Sequence, residues 1–169
     1  MGYTNLTDIA QFIPPFAAVK TQGTWTPTLA TNVITDVRTA DATAFTVMVP
    51  LPLLGSQVGL QGAKIVSIDV WYRIATAAAT DFATVTLVRQ FHRLHELSAQ
   101  AEVIPTTLDG DHDTPAKRLA LQHHKMTVNI DTPIFVPKTR PYYLVMVVDP
   151  HANTVFSLIG FQANLTLRL

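Results

Sequence analysis

The residues best placed to do chemistry are three carboxylates at alternate positions in the run Asp109-Gly110-Asp111-His112-Asp113. Alternating aspartates open the loops that crowd hard oxygen ligands around a calcium ion. The match stops there. The sixth position is Thr114, where the turn needs glycine, and the twelfth is Ala120, where the ion needs a bidentate glutamate. The run therefore reads as a solvated turn capped by its aspartates, and no metal or cofactor is expected.

Histidines offer a second route to chemistry. His92 and His95 have an i,i+3 spacing that converges only on a helix, while adjacent His123 and His124 point to opposite faces of a strand. Each reads as a satisfied or surface histidine, and a site joining His112 to His124 across strands stays open. Covalent catalysis needs a nucleophile with an oriented base. The serines, Ser56, Ser67, Ser98 and Ser157, do not fall in a G-x-S-x-G elbow. Gly55, Gly59 and Gly62 do not open a helix as a phosphate loop does. No catalytic residue is assigned, and the expectation is that the chain is not an enzyme. Trp25, Trp71, Tyr72, Tyr142 and Tyr143 are aromatic enough for a sugar-stacking platform, but core and interface filling explains them more simply. The sequons at Asn5 and Asn164 read as chance in a chain whose start lacks an export signal.

These residues must be positioned by strands. From Ile159 onward the odd positions are Ile159, Phe161, Ala163, Leu165, Leu167 and Leu169, and the even ones are Gly160, Gln162, Asn164, Thr166 and Arg168. A period of two gives one buried and one wetter face. Lys64 to Ala75 repeats it, with Val66, Ile68, Val70, Tyr72 and Ile74 on one side, and His124, Met126, Val128 and Ile130 do so later. Tyr142 to Val148 is a continuous apolar run, the pattern of a central strand buried on both faces. About eight strands with no sustained helix predict an all-β, antiparallel two-sheet sandwich, a jelly roll. The core domain is expected over residues 23–169.

Residues 1–22 read as an N-terminal arm. Thr7-Asp8 caps a short helical turn through Phe12, stopped by Pro14-Pro15. Ile9, Phe12, Ile13 and Phe16 make it adhesive, and it either folds back on its own domain or reaches a neighbouring subunit. With Gln162, Asn164, Thr166 and Arg168, the polar row of the last strand, these four are the expected interface residues. The edge of that strand, if unpaired, would accept a neighbour's strand.

Composition points the same way. Hydrophobic residues make up 48% of the chain and charged ones 14%, against about 25% in ordinary soluble domains. Twelve basic residues balance twelve acidic ones, so there is no electrostatic footprint for nucleic acid or an anionic membrane. Cysteine is absent, which excludes disulfides and thiolate chemistry. So little charge implies that partners cover some of the surface.

The runs Gly23-Thr24-Trp25-Thr26-Pro27, IVSIDVWYRIATAAATDFATVTL (65–87) and FQANLTLRL (161–169) resemble structural proteins of tailed bacteriophages, in the style of jelly-roll capsid decoration (cement) proteins. The resemblance implies a virion protein made in the host cytoplasm: a homo-oligomer, a trimer first of all, that contacts capsid or other virion proteins. It transfers no site residue. A tail or fibre component, a capsid subunit and a carbohydrate-binding module are the alternatives.

Overall fold

The computed structural model describes residues 6–30, 33–52, 63–91, 100–136 and 140–168, with the side chains of Leu6 and Arg168 outside the description. In chain order the strands are β1 (Leu6–Ile13), β2 (Val19–Lys20), β3 (Trp25–Ala30), β4 (Val33–Arg38), β5 (Phe45–Leu51), β6 (Ala63–Ala75), β7 (Asp81–Phe91), β8 (Gln100–Ile104), β9 (Thr106–Leu108), β10 (His123–Phe135), β11 (Tyr142–Asp149) and β12 (Val155–Arg168). One helical turn, α1 (Pro115–Arg118), sits between β9 and β10. All pairings are antiparallel.

The strands form a seven-stranded sheet, β3-β4-β12-β6-β10-β9 with β1 also on β12, and a five-stranded sheet, β2-β5-β11-β7-β8. Within them, β4-β12-β6-β10 and β5-β11-β7-β8 are filled by a chain that crosses between sheets at nearly every step. That is the jelly-roll winding, and the expected two-sheet sandwich of about eight principal strands is observed. The remaining four strands extend the edges.

The core lies between the two inner faces. Ile68, Val70, Tyr72, Met126, Val128, Phe156, Phe161 and Leu165 of one sheet meet Phe45, Val47, Val49, Phe82, Leu87, Leu144 and Met146 of the other, all fully buried or nearly so. Burying each large apolar side chain is worth roughly 1.5–3 kcal/mol.

Four local expectations are corrected. The turn expected at Thr7 to Phe12 is strand β1, running from Leu6↔Arg168 to Ile13↔Phe161 along β12. Ile9 and Ile13 lie at i and i+4, a spacing that suits both a helix face and a strand face, and the open edge of β12 selects the strand. That edge is therefore not open to another strand: β12 is paired by β6 on one side and by β4 and then β1 on the other. The alternations also slip. Register shifts at Ile159 and Val66 take both out of the buried rows, so Phe156, Leu158 and Phe161 face inward across the first and Ile65 and Ile68 across the second. Finally, β11 is central but buried on one face only: Tyr143, Val145 and Val147 look outward, half-buried or exposed.

Candidate functional site

The expected interface residues divide between the two faces of the β1–β12 pair. Ile13 is buried and Ile9 partly buried, both packed on the core. Phe12 and Phe16 stay outside at 60% and 57% exposure. Phe12 lies on Gly160, where a Cβ would stand 2.6 Å from its Cε2, and its ring centre is 6.4 Å from that of Trp71. Gln162, Asn164 and Thr166 are half-buried on the outer face, while Arg168 pairs through its backbone with Leu6.

That outer face is largely satisfied from within. Gln162 Nε2 donates to Asn164 Oδ1 at 2.8 Å, and Asn164 Nδ2 to Ser67 Oγ at 3.0 Å. Buried Asp69 accepts from Thr127 Oγ1 at 2.7 Å and pairs with Lys125 at 3.3 Å. Lys125 also rests over the Trp71 ring. Such a network stiffens three strands and leaves few free donors for a ligand.

The outer face of the five-stranded sheet differs. Across it the register sets Val19, Met48, Val145 and Thr86 in one row and Pro50, Tyr143, Val88 and Val103 in the next. Thr46, Val147 and Thr84 form a third. Val19 and Val103 are 60% and 64% exposed, and Met48 and Val147 are also open. No charged side chain stands in these rows. Lys20 turns the other way to Asp36, and Arg89 pairs with Glu102. At the Tyr142 end of β11, a groove of about 310 Å3 is lined by Phe12, Pro14, Pro50, Tyr142 and Tyr143 among others.

At the opposite end, His112 and His124 meet. The acidic run folds so that Asp109 Oδ1 lies 2.8 Å from His112 Nδ1, His112 Nε2 lies 3.1 Å from His124 Nδ1, and His124 Nε2 lies 2.8 Å from the Ala120 carbonyl. Tyr72 stacks on His124 at 4.5 Å and 8°, and its hydroxyl donates to the Arg118 carbonyl at 2.9 Å. Arg118 donates to the carbonyls of Phe82 and His112, both at 2.7 Å. Burial holds the His124 imidazole below its ordinary value. Burial pushes the Asp109 carboxyl up, but the Thr127 N–H and His112 more than reverse this and keep it low. Burial also raises the Tyr72 phenol well above the usual range. Both histidines are nearly inaccessible, at 5% and 3% exposure, so a dissolved substrate does not reach them. Among the described residues no three His, Cys, Asp or Glu side chains are grouped to hold a metal ion.

The aromatic set does not form one platform. Tyr72 and Tyr142 are buried, Trp25 sits edge-on against Phe45 and Phe156, Tyr143 faces out from the other sheet, and Trp71 is left with Phe12. His92, His95, Ser56, Ser98 and the glycines at 55, 59 and 62 lie outside the described residues.

No protein-family model matches the chain, and no curated protein matches it. Among solved structures it is similar to the enzymatically active domain of tailspike protein 4 of bacteriophage CBA120. The TM-score is 0.36 and the identity 7%, over 94% of this chain and 19% of that one. The likeness is to a phage tail protein and does not bear on capsid decoration or on a trimer. It does correct one expectation: the matched domain is an enzymatically active one, so the reading of this chain as a non-enzyme is not retained. A likeness of this size supplies no reaction either.

Sequence reading left the His112–His124 contact open and missed the uncharged rows on the outer face. The His112–His124 contact had one signal, a histidine on the inward row His124-Met126-Val128-Ile130, where a polar ring must find partners. The uncharged outer face had another, since Tyr142 to Val148 is apolar at every position while only alternate ones are needed for the core. No described helix is long and apolar enough to cross a membrane.

Proposed function

We propose that the chain is a structural subunit of a phage virion that assembles with copies of itself as a trimer, and that its place is on the capsid as a decoration subunit. The observation that carries the assembly is the set of three uncharged rows on the outer face of the five-stranded sheet, bounded at one end by exposed Asp81 and Asp149. The three rows hold eleven outward positions, and at about 4.8 Å by about 6.7 Å for each they make a face on the order of 350 Å2 in projection. Uncharged surface of that extent ranks with the largest patches a single domain exposes, and such patches are often functional.

That is about half of the roughly 800 Å2 per partner in a standard interface. The face therefore supplies the dry centre of a contact and needs a second patch. A closed trimer joins unlike patches head to tail, and exposed Phe12 and Phe16 on the β1 side offer the second one. The decoration role is favoured by the resemblance carried by residues 23–27, 65–87 and 161–169. Light scattering on the full chain tests the assembly: the expected mass is that of three chains, and a monomer at tens of micromolar removes the proposal.

A further inference from the structure

The ring nitrogens around His112 fix a proton count. The Ala120 carbonyl can only accept, so His124 Nε2 carries a proton. With His124 neutral, its Nδ1 is a lone pair, and the 3.1 Å contact to His112 Nε2 is a hydrogen bond only if that nitrogen carries a proton. Asp109 is an ionised carboxylate that also accepts from the Thr127 and Asp111 N–H groups, so His112 Nδ1, 2.8 Å away, must carry one as well. Both nitrogens of His112 are donors. A neutral His112 would set two lone pairs against each other at one contact or the other.

We infer that His112 is a buried imidazolium bridging Asp109 to His124, and that this bridge is a pH-sensitive latch holding the 109–122 crossover over the end of the sandwich. The crossover ties the two sheets together. Asp109 binds the Thr127 N–H of β10, while Arg118 binds the Phe82 carbonyl of β7 and Tyr72 of β6 binds the Arg118 carbonyl.

The charged and titratable groups around His112 are consistent with one bound proton. From the crossover come Asp109, Asp111 and Asp113, and Lys117 is spent on Asp113. From α1 comes the Arg118 cation, which disfavours a further positive charge and makes Asp109 the group that retains it. β6 presents the neutral Tyr72 phenol, β10 presents His124 with exposed His123 beside it, and Asp81 of β7 acts on Arg118. A metal ion between the two nitrogens would need further ligands that the described residues do not group there; a proton needs only these two.

Folding is favoured while the bridge holds its proton, and that contribution is lost at a pH high enough to remove it. Imidazole nitrogen NMR on the full chain, with thermal midpoints followed from about pH 5 to about pH 9, tests this. Expected are a doubly protonated His112, an Nε2–H tautomer at His124, and a midpoint falling by about 4–8 °C as the imidazolium signals vanish. Asp109→Asn should remove both the signals and the step. If that variant does not fold, the wild-type spectra decide alone. A neutral His112 at the acid end, equal pH slopes in wild type and variant, or one bound zinc shifting both rings would each overturn the proposal.

Discussion

The guanidinium of Arg38 is packed against the backbone of Gly23, where a Cβ would stand 2.5 Å from Nε. Arg38 is fully buried, lies over the Phe45 ring and donates to the carbonyls of Asp41 and Thr43, so it cannot swing aside. Gly23 also has φ +84°, a conformation other residues adopt at a cost. Gly23→Ala should therefore cost about 2–4 kcal/mol, from backbone strain together with displacement of a buried cation. Chemical denaturation measures it.

Gly160→Ala has an equally close contact but should behave differently. The atom met is the tip of Phe12, an exposed ring that can rotate away. The expected cost is below about 1 kcal/mol, with a shift in Trp71 fluorescence as Phe12 leaves it. A loss as large as that of Gly23→Ala would show that Phe12 is fixed in place.

Two neighbours in β1 should separate stability from assembly. Ile13→Ala opens a cavity in the core beside Phe161 and should cost about 2–4 kcal/mol. Phe12→Ala removes an exposed ring and should leave the thermal midpoint nearly unchanged while weakening the oligomer in sedimentation.

Asp109 supplies an acid-side prediction. Its carboxyl is held low in the folded chain, so its contribution is present above the ordinary carboxylate range and lost as pH falls through the folded value. Acid unfolding of Asp109→Asn should therefore show a shallower loss of stability than wild type between neutral pH and about pH 3.

The sequence was most legible where one face of a strand is buried without interruption. His124 to Ile130 and Phe161 to Leu167 alternate in the structure as they do in the text. It was misleading where a bulge resets the phase, since the extra residue, Val66 or Ile159, is itself apolar and reads as part of the inward row. It was ambiguous in β1, where the spacing of Ile9 and Ile13 suits a helix face as well as a strand face. Of the candidate interface, Ile9 and Ile13 are claimed by the core, Phe12 and Phe16 keep their exposure, and Gln162, Asn164 and Thr166 are half-buried. The His112–His124 bridge depends on how the 109–122 crossover folds back over β10, and spacing alone does not encode that closure.

The most direct test of assembly through the five-stranded sheet is the solution mass of a Val103→Lys/Val147→Lys double variant beside wild type. Both side chains point outward, so the thermal midpoint should stay within about 2 °C. Two lysines brought into a dry contact carry an uncompensated desolvation cost. The predicted result is an oligomeric wild type and a folded monomeric variant. A variant that keeps the wild-type mass, or a wild type that is itself monomeric, would contradict it.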